Sequence, residues 1–496
     1  MDRMKRAAVI GAGFGGLALA IRLQAAGIAT TVIEARDRPG GMVRGSARQG
    51  FSFDDGPATL TDPQAIHALW ALSGHDLARD VELLPVTPFS RLMWPDGTRF
   101  DLSDDDPAMI REIGALRPED AGGYRRFLGY AAAVSRDVRD GLGPHAFDDR
   151  AGLARAAALL ARHQAWRPLH ALASRFVRDE HLREALSIQA LQAGGNPMTA
   201  SALYAWLHKL ERDGGVWFPR GGMQALALAM ARLFERLGGT LMLGDAAVEI
   251  ETRGDCATGV RTASGWQADF DAVASNADVV ASYARLLGHT HRGRKAADRL
   301  ARRRFAPSAF VVHFGIEGIW PGIPHHSILF GPRYAGLFRD IYEHGVLSAD
   351  ALIHLYHPSV TDPGLALEGM SSFTALVPVP HLGKLPIDWD GEGEAYATRI
   401  LDHVESRLIH GLRDRLVTRA HVTPADLGRD VSAHLGSAWS LEPRLSQSGW
   451  LRVHHRDDAI PNLYFVGAGT HPGAGIPAVI ASAQATAQLM LEESHP

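Results

Sequence analysis

The pattern of apolar and polar positions opens at residues 7–10 with an apolar run that does not alternate, as in a strand covered on both faces. A glycine turn follows. Leu17, Ala18, Ile21 and Leu23 then recur at helical spacing up to Gly27, a residue suited to a helix C-terminus. Residues 30–33 supply a second short strand, closed by Glu34. The predicted unit is strand, turn, helix, strand. Within its turn, Gly11, Gly13 and Gly16 stand at G-x-G-x-x-G spacing, with Gly15 between the last two. In that pattern the first glycine makes the tight turn and the second lets the backbone approach a pyrophosphate. The third lets the helix pack closely on the strand, and the closing acid accepts from ribose hydroxyls. The helix N-terminus favours the anion, and Glu34 would repel a 2′-phosphate, which disfavours NADP.

Farther along, Arg36 and the doublet Gly40 and Gly41 form a second glycine turn, followed by a strand-like segment at 51–60 that contains Gly56 and Pro57. Residues 106–213 read as largely helical. From 214 to 260 the texture returns to α/β, with a helix around 224–237 and a strand at 247–251 that holds Val248. Residues 270–278 read as a buried strand with turn residues. Segments 308–316, 351–358 and 371–379 alternate in part, predicting an antiparallel sheet with one face buried and the other lining something. Residues 459–491 carry no Lys, Arg, Asp or Glu, yet glycines and prolines interrupt them repeatedly. They predict a strand at 463–466, a glycine–proline loop with Gly469 and Thr470, and a buried helix from about 478, not a membrane span. The expected class is α/β: a Rossmann-like domain (1–88, 214–282, 456–496) interrupted by a helical, membrane-facing region (89–213) and an antiparallel-sheet substrate domain (283–455).

Composition narrows the chemistry. A chain of 496 residues with 46% apolar and 21% charged residues is an ordinary globular protein of more than one domain. Its net charge of −4 gives no overall attraction to nucleic acid. One cysteine, Cys256, excludes an intrachain disulfide, a Cys-ligated iron–sulfur cluster and a CxxC pair, so a reducing compartment is expected. The first strand begins within a few residues of Met1 and leaves no room for a signal peptide. Doublets such as His325 and His326 would point to opposite faces of a strand, and no metal site is expected. No HExxH, nucleophile elbow or lysine-bearing phosphate loop occurs, which suits chemistry carried by a cofactor. No second dinucleotide fingerprint exists either. The C-terminal strand, glycine loop and helix can aim N–H groups at an isoalloxazine ring, so FAD is the expected cofactor.

Two segments carry further charge patterns. Residues 150–178 hold six arginines and no acid, with Leu159, Leu160, Trp166, Leu169 and Phe176 along them. They read equally as an interfacial helix pair on anionic lipid, broken at Pro168, and as a core-facing helix with solvated arginines. At 178–183, Asp179 and Arg183 are spaced i, i+4 and can pair on a helix, read either as a weak ion pair on a solvated face or as a desolvated acid held in place for proton exchange.

Several motifs together resemble the bacterial-type phytoene desaturases of the amine-oxidase-like flavoproteins: VIGAGFGGLALAIRLQAAGI, VELLPVTPF, HQAWR, GGVWFPRGG, ASNADVV, FGPRY, PVPHLG, LGSAWSLEP and NLYFVGAGTHPGAGIP. The resemblance runs from about residue 6 to 491. It implies a p-hydroxybenzoate-hydroxylase-like FAD domain with a substrate domain. The implied reaction oxidises a C–C single bond of a long hydrophobic polyene to a double bond. FAD takes the hydride, and quinone or oxygen accepts the electrons. It further implies a cytoplasmic location, peripheral on the inner face of the cell membrane, and FAD contacts at Gly11, Gly13, Gly15, Gly16, Glu34, Arg36, Gly40, Gly41, Gly56, Pro57, Val248, Gly469, Thr470 and Ile476. Asp179, held by Arg183, is the candidate for exchanging a proton with the polyene cation. The chain departs from the family pattern at Met42, where an Arg is usual, with Arg44 two positions on. It departs again at Asp55, where a small residue is usual, and at Ala58 in place of Thr. These departures admit a paralogous desaturase of a modified, for example hydroxylated, carotenoid, a carotenoid isomerase, or a redox-silent carotenoid-binding flavoprotein.

Overall fold

The computed structural model describes residues 4–56, 58, 60–141 and 150–492. Two large sheets organise it. The first has five parallel strands, ordered Leu463–Phe465, Ala272–Ser275, β1 (Arg6–Ile10), β2 (Ala29–Ile33) and Thr240–Met242. Every residue of β1 except Arg6 is buried, because helices cover one face and a three-stranded antiparallel sheet covers the other. Helix α1 (Phe14–Ala25) packs between the C-terminal helix Ile476–Glu492 and the helix Met223–Arg236. Gly16 permits that packing: a Cβ there would lie 2.0 Å from the Gly11 carbonyl oxygen. Gly27, at φ +84°, stands just past the helix end, as the sequence predicts.

The second sheet has seven strands, ordered Leu416–Val422, Ser308–Glu317, Met370–Val379, Ile353–Tyr356, His326–Leu329, Ser90–Met93 and Arg99–Leu102. The three later segments predicted as strands all join it in antiparallel pairing. Phe310, Val312 and Phe314 pack with residues of helix Trp389–Arg407. Ala309 and Val311, on the opposite face, line an interior cavity. The partial alternation of this segment thus separates core from cavity wall.

The segment from 89 onwards opens with strands before it turns helical. Ser90–Met93 and Arg99–Leu102 form a hairpin around Asp96 and Gly97. Asp-Gly between alternating strands is a turn signal, Gly97 takes φ +89°, and Arg91 pairs with Asp101 across the hairpin at 2.7 Å. Its first strand runs parallel to His326–Leu329, so the hairpin extends the same sheet that carries the later strands. Helices Asp106–Leu116, Ala121–Gly141, Arg150–Arg162, Leu169–Ala173, Glu180–Ser187 and Ala205–Gly214 follow. Among the described residues, no helix is long and apolar enough to cross a membrane.

Candidate active site

The two glycine turns meet at the C-terminal end of the parallel sheet. Gly13 and Gly40 form a parallel bridge, and the Gly40 N–H donates to the Ala12 carbonyl at 2.8 Å. A Cβ on Gly41 would come within 2.9 Å of the Gly13 Cα, so the second turn reaches the first only as glycine. No side chain caps the N-terminus of α1, and its first turn holds no acid. That end, with unused N–H groups, is open to an anion. Glu34 is buried at the end of β2, where its carboxylate accepts from the Ala12 N–H (2.7 Å) and the Arg36 N–H (3.1 Å). Arg36 donates to the Gly41 carbonyl at 2.8 Å and clamps the second turn beside Glu34. These groups fit a dinucleotide: backbone donors for a pyrophosphate and a carboxylate at the neighbouring strand end for hydroxyls.

The C-terminal loop adds a third side. Gly467, Gly473 and Gly475 take positive φ, and the helix Ile476–Glu492 begins two residues earlier than the sequence predicts, with Pro477 tolerated in its first turn. Asn276, at the end of strand Ala272–Ser275, ties the sides together. A Cβ on Gly15 would lie 2.7 Å from its Oδ1, and one on Gly13 would lie 2.8 Å from its Nδ2. Asn276 was visible in the sequence only as part of ASNADVV. Gly13, Gly15, Gly40, Gly41, Gly56, Gly469 and Ile476 all line one cavity of about 620 Å³. Thr470 is buried behind it, its hydroxyl bonded to the Gly467 carbonyl and to Ser482. Val248 is exposed on the antiparallel sheet and does not line the cavity, and Pro57 lies outside the described residues.

From the glycine turns the cavity extends between the seven-stranded sheet and the helices. It reaches Val138, Ala156 and Leu160 at one end and Trp450 and the half-exposed Leu451 beside them. Its wall is mainly apolar. His326 and His354 border it, but burial lowers their pKa values to about 3 and about 4, so both are neutral near pH 7. The rings of His325 and His326 stack at 4.7 Å, contrary to the expectation that they diverge. His325 lies just outside the strand that begins at His326, so the two do not alternate as strand neighbours.

Three acids reach the cavity, in different electrostatic states. Asp55 pairs with Arg44 (2.6 Å) and bonds His313 Nε2 (2.7 Å). Burial raises its pKa, but His313 and Arg44 outweigh burial and hold it below the usual carboxylate value. Arg44 also reaches Asp430 at 2.6 Å. Two departures from the family pattern, Asp55 and the displaced Arg44, are therefore partners in one buried network. Asp278 caps the following helical turn through the Val280 and Ala281 N–H groups. Glu211, on helix Ala205–Gly214, has no cation partner among the described residues. It accepts from the Gln192 amide at 2.8 Å and the Gln189 amide at 2.5 Å, and burial raises its pKa to about 7 against those two donors. Nothing in the local sequence, LHKLERDGG, distinguishes Glu211 from a solvated helix acid. Its environment comes from Gln189 and Gln192, about twenty residues upstream.

The pairing expected of Asp179 and Arg183 is not formed. Asp179 is the N-cap of helix Glu180–Ser187 and accepts from the Leu182 N–H at 3.0 Å. A residue at the cap stands outside the helix, so the i, i+4 geometry does not apply. Arg183 instead pairs with Glu180 at 2.9 Å, and neither Asp179 nor Arg183 lines the cavity. Among the described residues, no group of three or more His, Cys, Asp or Glu side chains is arranged to hold a metal ion.

Fold and cavity define an oxidoreductase built around a dinucleotide-type cofactor, and the comparisons with known proteins agree. The flavin-containing amine oxidoreductase family matches residues 14–491, and the chain belongs to it. Within that family it groups with the bacterial phytoene desaturases, as an FAD-dependent oxidoreductase of the carotenoid desaturase type. It is 50% identical to a lycopene-forming phytoene desaturase of Paracoccus sp. over 99% of this chain and 98% of that one. It is 37% identical to the neurosporene-forming phytoene desaturase of Rhodobacter capsulatus over 100% and 95%. Among solved structures, an oxidoreductase from Methanosarcina mazei matches with a TM-score of 0.64 at 16% identity, covering 97% and 100% of the two chains, which supports the fold.

Proposed function

We propose that this chain desaturates phytoene to lycopene in the cavity described above, drawing its substrate from a membrane surface. The observation that carries the proposal is the continuity of one apolar cavity from the paired glycine turns to the helix Arg150–Arg162, with Glu211 on its wall. Lycopene is preferred to neurosporene as product because identity to the lycopene-forming relative is higher, 50% against 37%.

In the proposed site, the α1 N-terminus, Gly13, Gly15 and Gly41 hold the pyrophosphate, and Glu34 meets the ribose. Gly11 and Gly16 set the turn, Arg36 and Gly40 brace the second turn, and Gly56, Gly469 and Ile476 complete the FAD surroundings on the cavity wall, with Thr470 bracing the loop behind them. Bound FAD supplies the acceptor for the hydride that leaves one carbon of the substrate, and quinone or oxygen later takes the electrons. The apolar wall excludes water and aligns the polyene, so that one allylic C–H bond at a time is presented. Loss of hydride leaves a carbocation, and a proton must leave the adjacent carbon to close the double bond. Glu211 is the proton acceptor in this reading. A carboxyl poised near pH 7 can take a proton and release it between turnovers. Gln189 and Gln192 fix the orientation of its carboxylate. Asp55 is already committed to Arg44 and His313, and Asp278 to its helix cap, which leaves Glu211 for the task.

Substrate entry at the membrane is supported by the segment that follows the cavity-lining helix Arg150–Arg162. Trp166 is 63% exposed and lies in the segment that carries Arg162, which pairs with Asp137 at 3.1 Å, and Arg167 and Arg175. The last two share the Gln164 amide oxygen at 2.6 and 3.0 Å. An exposed indole in an arginine-rich segment suits the interface of an anionic bilayer. In this reading the protein sits peripherally on the inner face of the cell membrane.

Expression in cells that accumulate phytoene, followed by chromatography of the pigments, tests the proposal. Lycopene is expected. Neurosporene would change the product assignment, and unchanged phytoene in cells holding flavin-loaded protein would overturn the substrate assignment. Charge reversal of Arg162, Arg167 and Arg175 to Glu should release the protein from anionic liposomes, as should high salt.

A further inference from the structure

Arg452 is buried, 3% exposed, directly behind the loop that walls the cavity at Ala468, Gly469 and His471. Its Nη2 donates to the Ala468 carbonyl at 2.6 Å and more weakly to the Leu441 carbonyl at 3.4 Å. Its Nε has no partner, and no carboxylate forms an ion pair with it among the described residues. The titratable groups that act on it are a phenol, Tyr204, and a second cation, Arg303. Burial holds its pKa down to about 10, which still leaves it charged at neutral pH. A buried guanidinium without an anion is expensive, and such a charge is normally matched by a counter-ion or a ligand.

The described residues offer no such anion, but the reaction does. A flavin that accepts a hydride gains negative charge, and protein charge near its ring sets how readily it does so. The backbone on either side of Arg452 runs along the same cavity and its loop. Leu451 lines the cavity mouth, and Val453 bridges in parallel to Thr470 of the same loop. The N-terminus of the helix Ile476–Glu492 opens onto the cavity from the other end of the loop, adding a second positive pole.

We propose that Arg452 is an electrostatic positioning residue: its uncompensated charge, applied through the 468–473 loop, stabilises the negative charge of the reduced flavin and raises the flavin's reduction potential. The proposal rests on FAD binding by this chain. It does not depend on which carotenoid is bound, since its test uses no carotenoid.

The test is a reduction-potential measurement on the FAD-loaded full chain, together with titration by sulfite, which adds to flavins held beside positive charge. The wild type should bind sulfite and have a potential above that of free FAD. Arg452→Gln should favour the oxidised form about tenfold relative to wild type, a drop of about 30 mV for a two-electron couple. It should also weaken sulfite binding at least tenfold, whereas Arg452→Lys should keep most of both. A loop-holding role alone would leave potential and sulfite affinity unmoved in Arg452→Gln, and that result would overturn the proposal. So would a wild-type flavin that refuses sulfite and lies below free FAD, a reading that does not depend on any variant folding.

Discussion

The glycine-turn half of the active site and the cavity half are built from different materials. Around the first strand and its helix, the site consists of backbone: turns with positive φ, unused N–H groups and the close approach of Gly13 to Gly41. Across the cavity it consists of side chains brought from separate segments, with Glu211 held by Gln189 and Gln192 and Asp55 held by Arg44 and His313. The backbone half offers the same surface wherever a chain can make those turns. The side-chain half fixes protonation states and, through them, which chemistry follows hydride removal. Damage to the first should abolish cofactor binding, and damage to the second should leave the cofactor in place and change the rate.

The largest expected effect therefore falls on the backbone half. Gly13→Val puts a branched side chain where even a Cβ meets Asn276 at 2.8 Å, and purified protein should lose its bound flavin, read as loss of the flavin's visible absorbance. Retained flavin would show that the glycine turns do not form the cradle.

On the other side, Glu211→Gln should keep full flavin occupancy and lower desaturation by about 10²-fold or more, the usual scale of general acid–base help. The pH dependence has a defined sign. A carboxyl raised to about 7 from its usual 4.5 is protonated in the folded state while the unfolded chain has already lost the proton. Wild-type stability should therefore fall as pH rises from about 4.5 to about 7, while the rate rises through about 7. Glu211→Gln should flatten the rate profile and reduce the slope of the stability profile, to which Glu184, raised to about 7, and Asp54, raised to about 6, also contribute. A variant with wild-type rate would remove Glu211 from the chemistry.

The Arg44 and Asp55 pair should matter to stability. Arg44→Met leaves a buried carboxylate with only His313 and should destabilise the fold by about 3 kcal/mol, with much of the loss recovered in the double variant Arg44→Met, Asp55→Ala. Because the Asp55 pKa is depressed, the pair's contribution is present at neutral pH and is lost as pH falls through the folded value, below the usual 3.8. Additive single effects in urea melts would show that the two are not coupled.

Smallest is the effect at Asp179. As a helix cap it should tolerate Asn almost without change, and Asp179→Ala should cost about 1 kcal/mol with an unaltered turnover rate. A large rate loss in Asp179→Asn at full flavin occupancy would return the carboxylate to the proton-transfer step.

The same division explains what could be read before folding. The glycine spacing, Glu34 and the apolar run of β1 are local patterns, and each predicted its element because its physics is local. The three antiparallel strands were legible for the same reason, through residues such as Phe310 and Val311 facing opposite sides. The hairpin at 90–102 carried an Asp-Gly signal but was submerged in an expectation of helix. Glu211 was not legible at all. An acid on a helix looks solvated until Gln189 and Gln192 close over it, and that closure depends on tertiary packing. Asp179 misled in the opposite direction, since its spacing to Arg183 suggested a pair, whereas its carboxylate caps the helix and Arg183 pairs with Glu180.

The most direct measurement mixes flavin-loaded protein with phytoene in liposomes without oxygen or quinone and follows flavin bleaching in a single turnover from pH 5 to 9 (about the range spanning a carboxyl poised near 7). Bleaching that accompanies a new conjugated product, with a rate rising through about pH 7 in the wild type and flat and slow in Glu211→Gln, is the predicted result. Flavin that stays oxidised in the presence of phytoene at every pH would contradict the joining of the glycine-turn cradle and the Glu211 wall into one desaturation site.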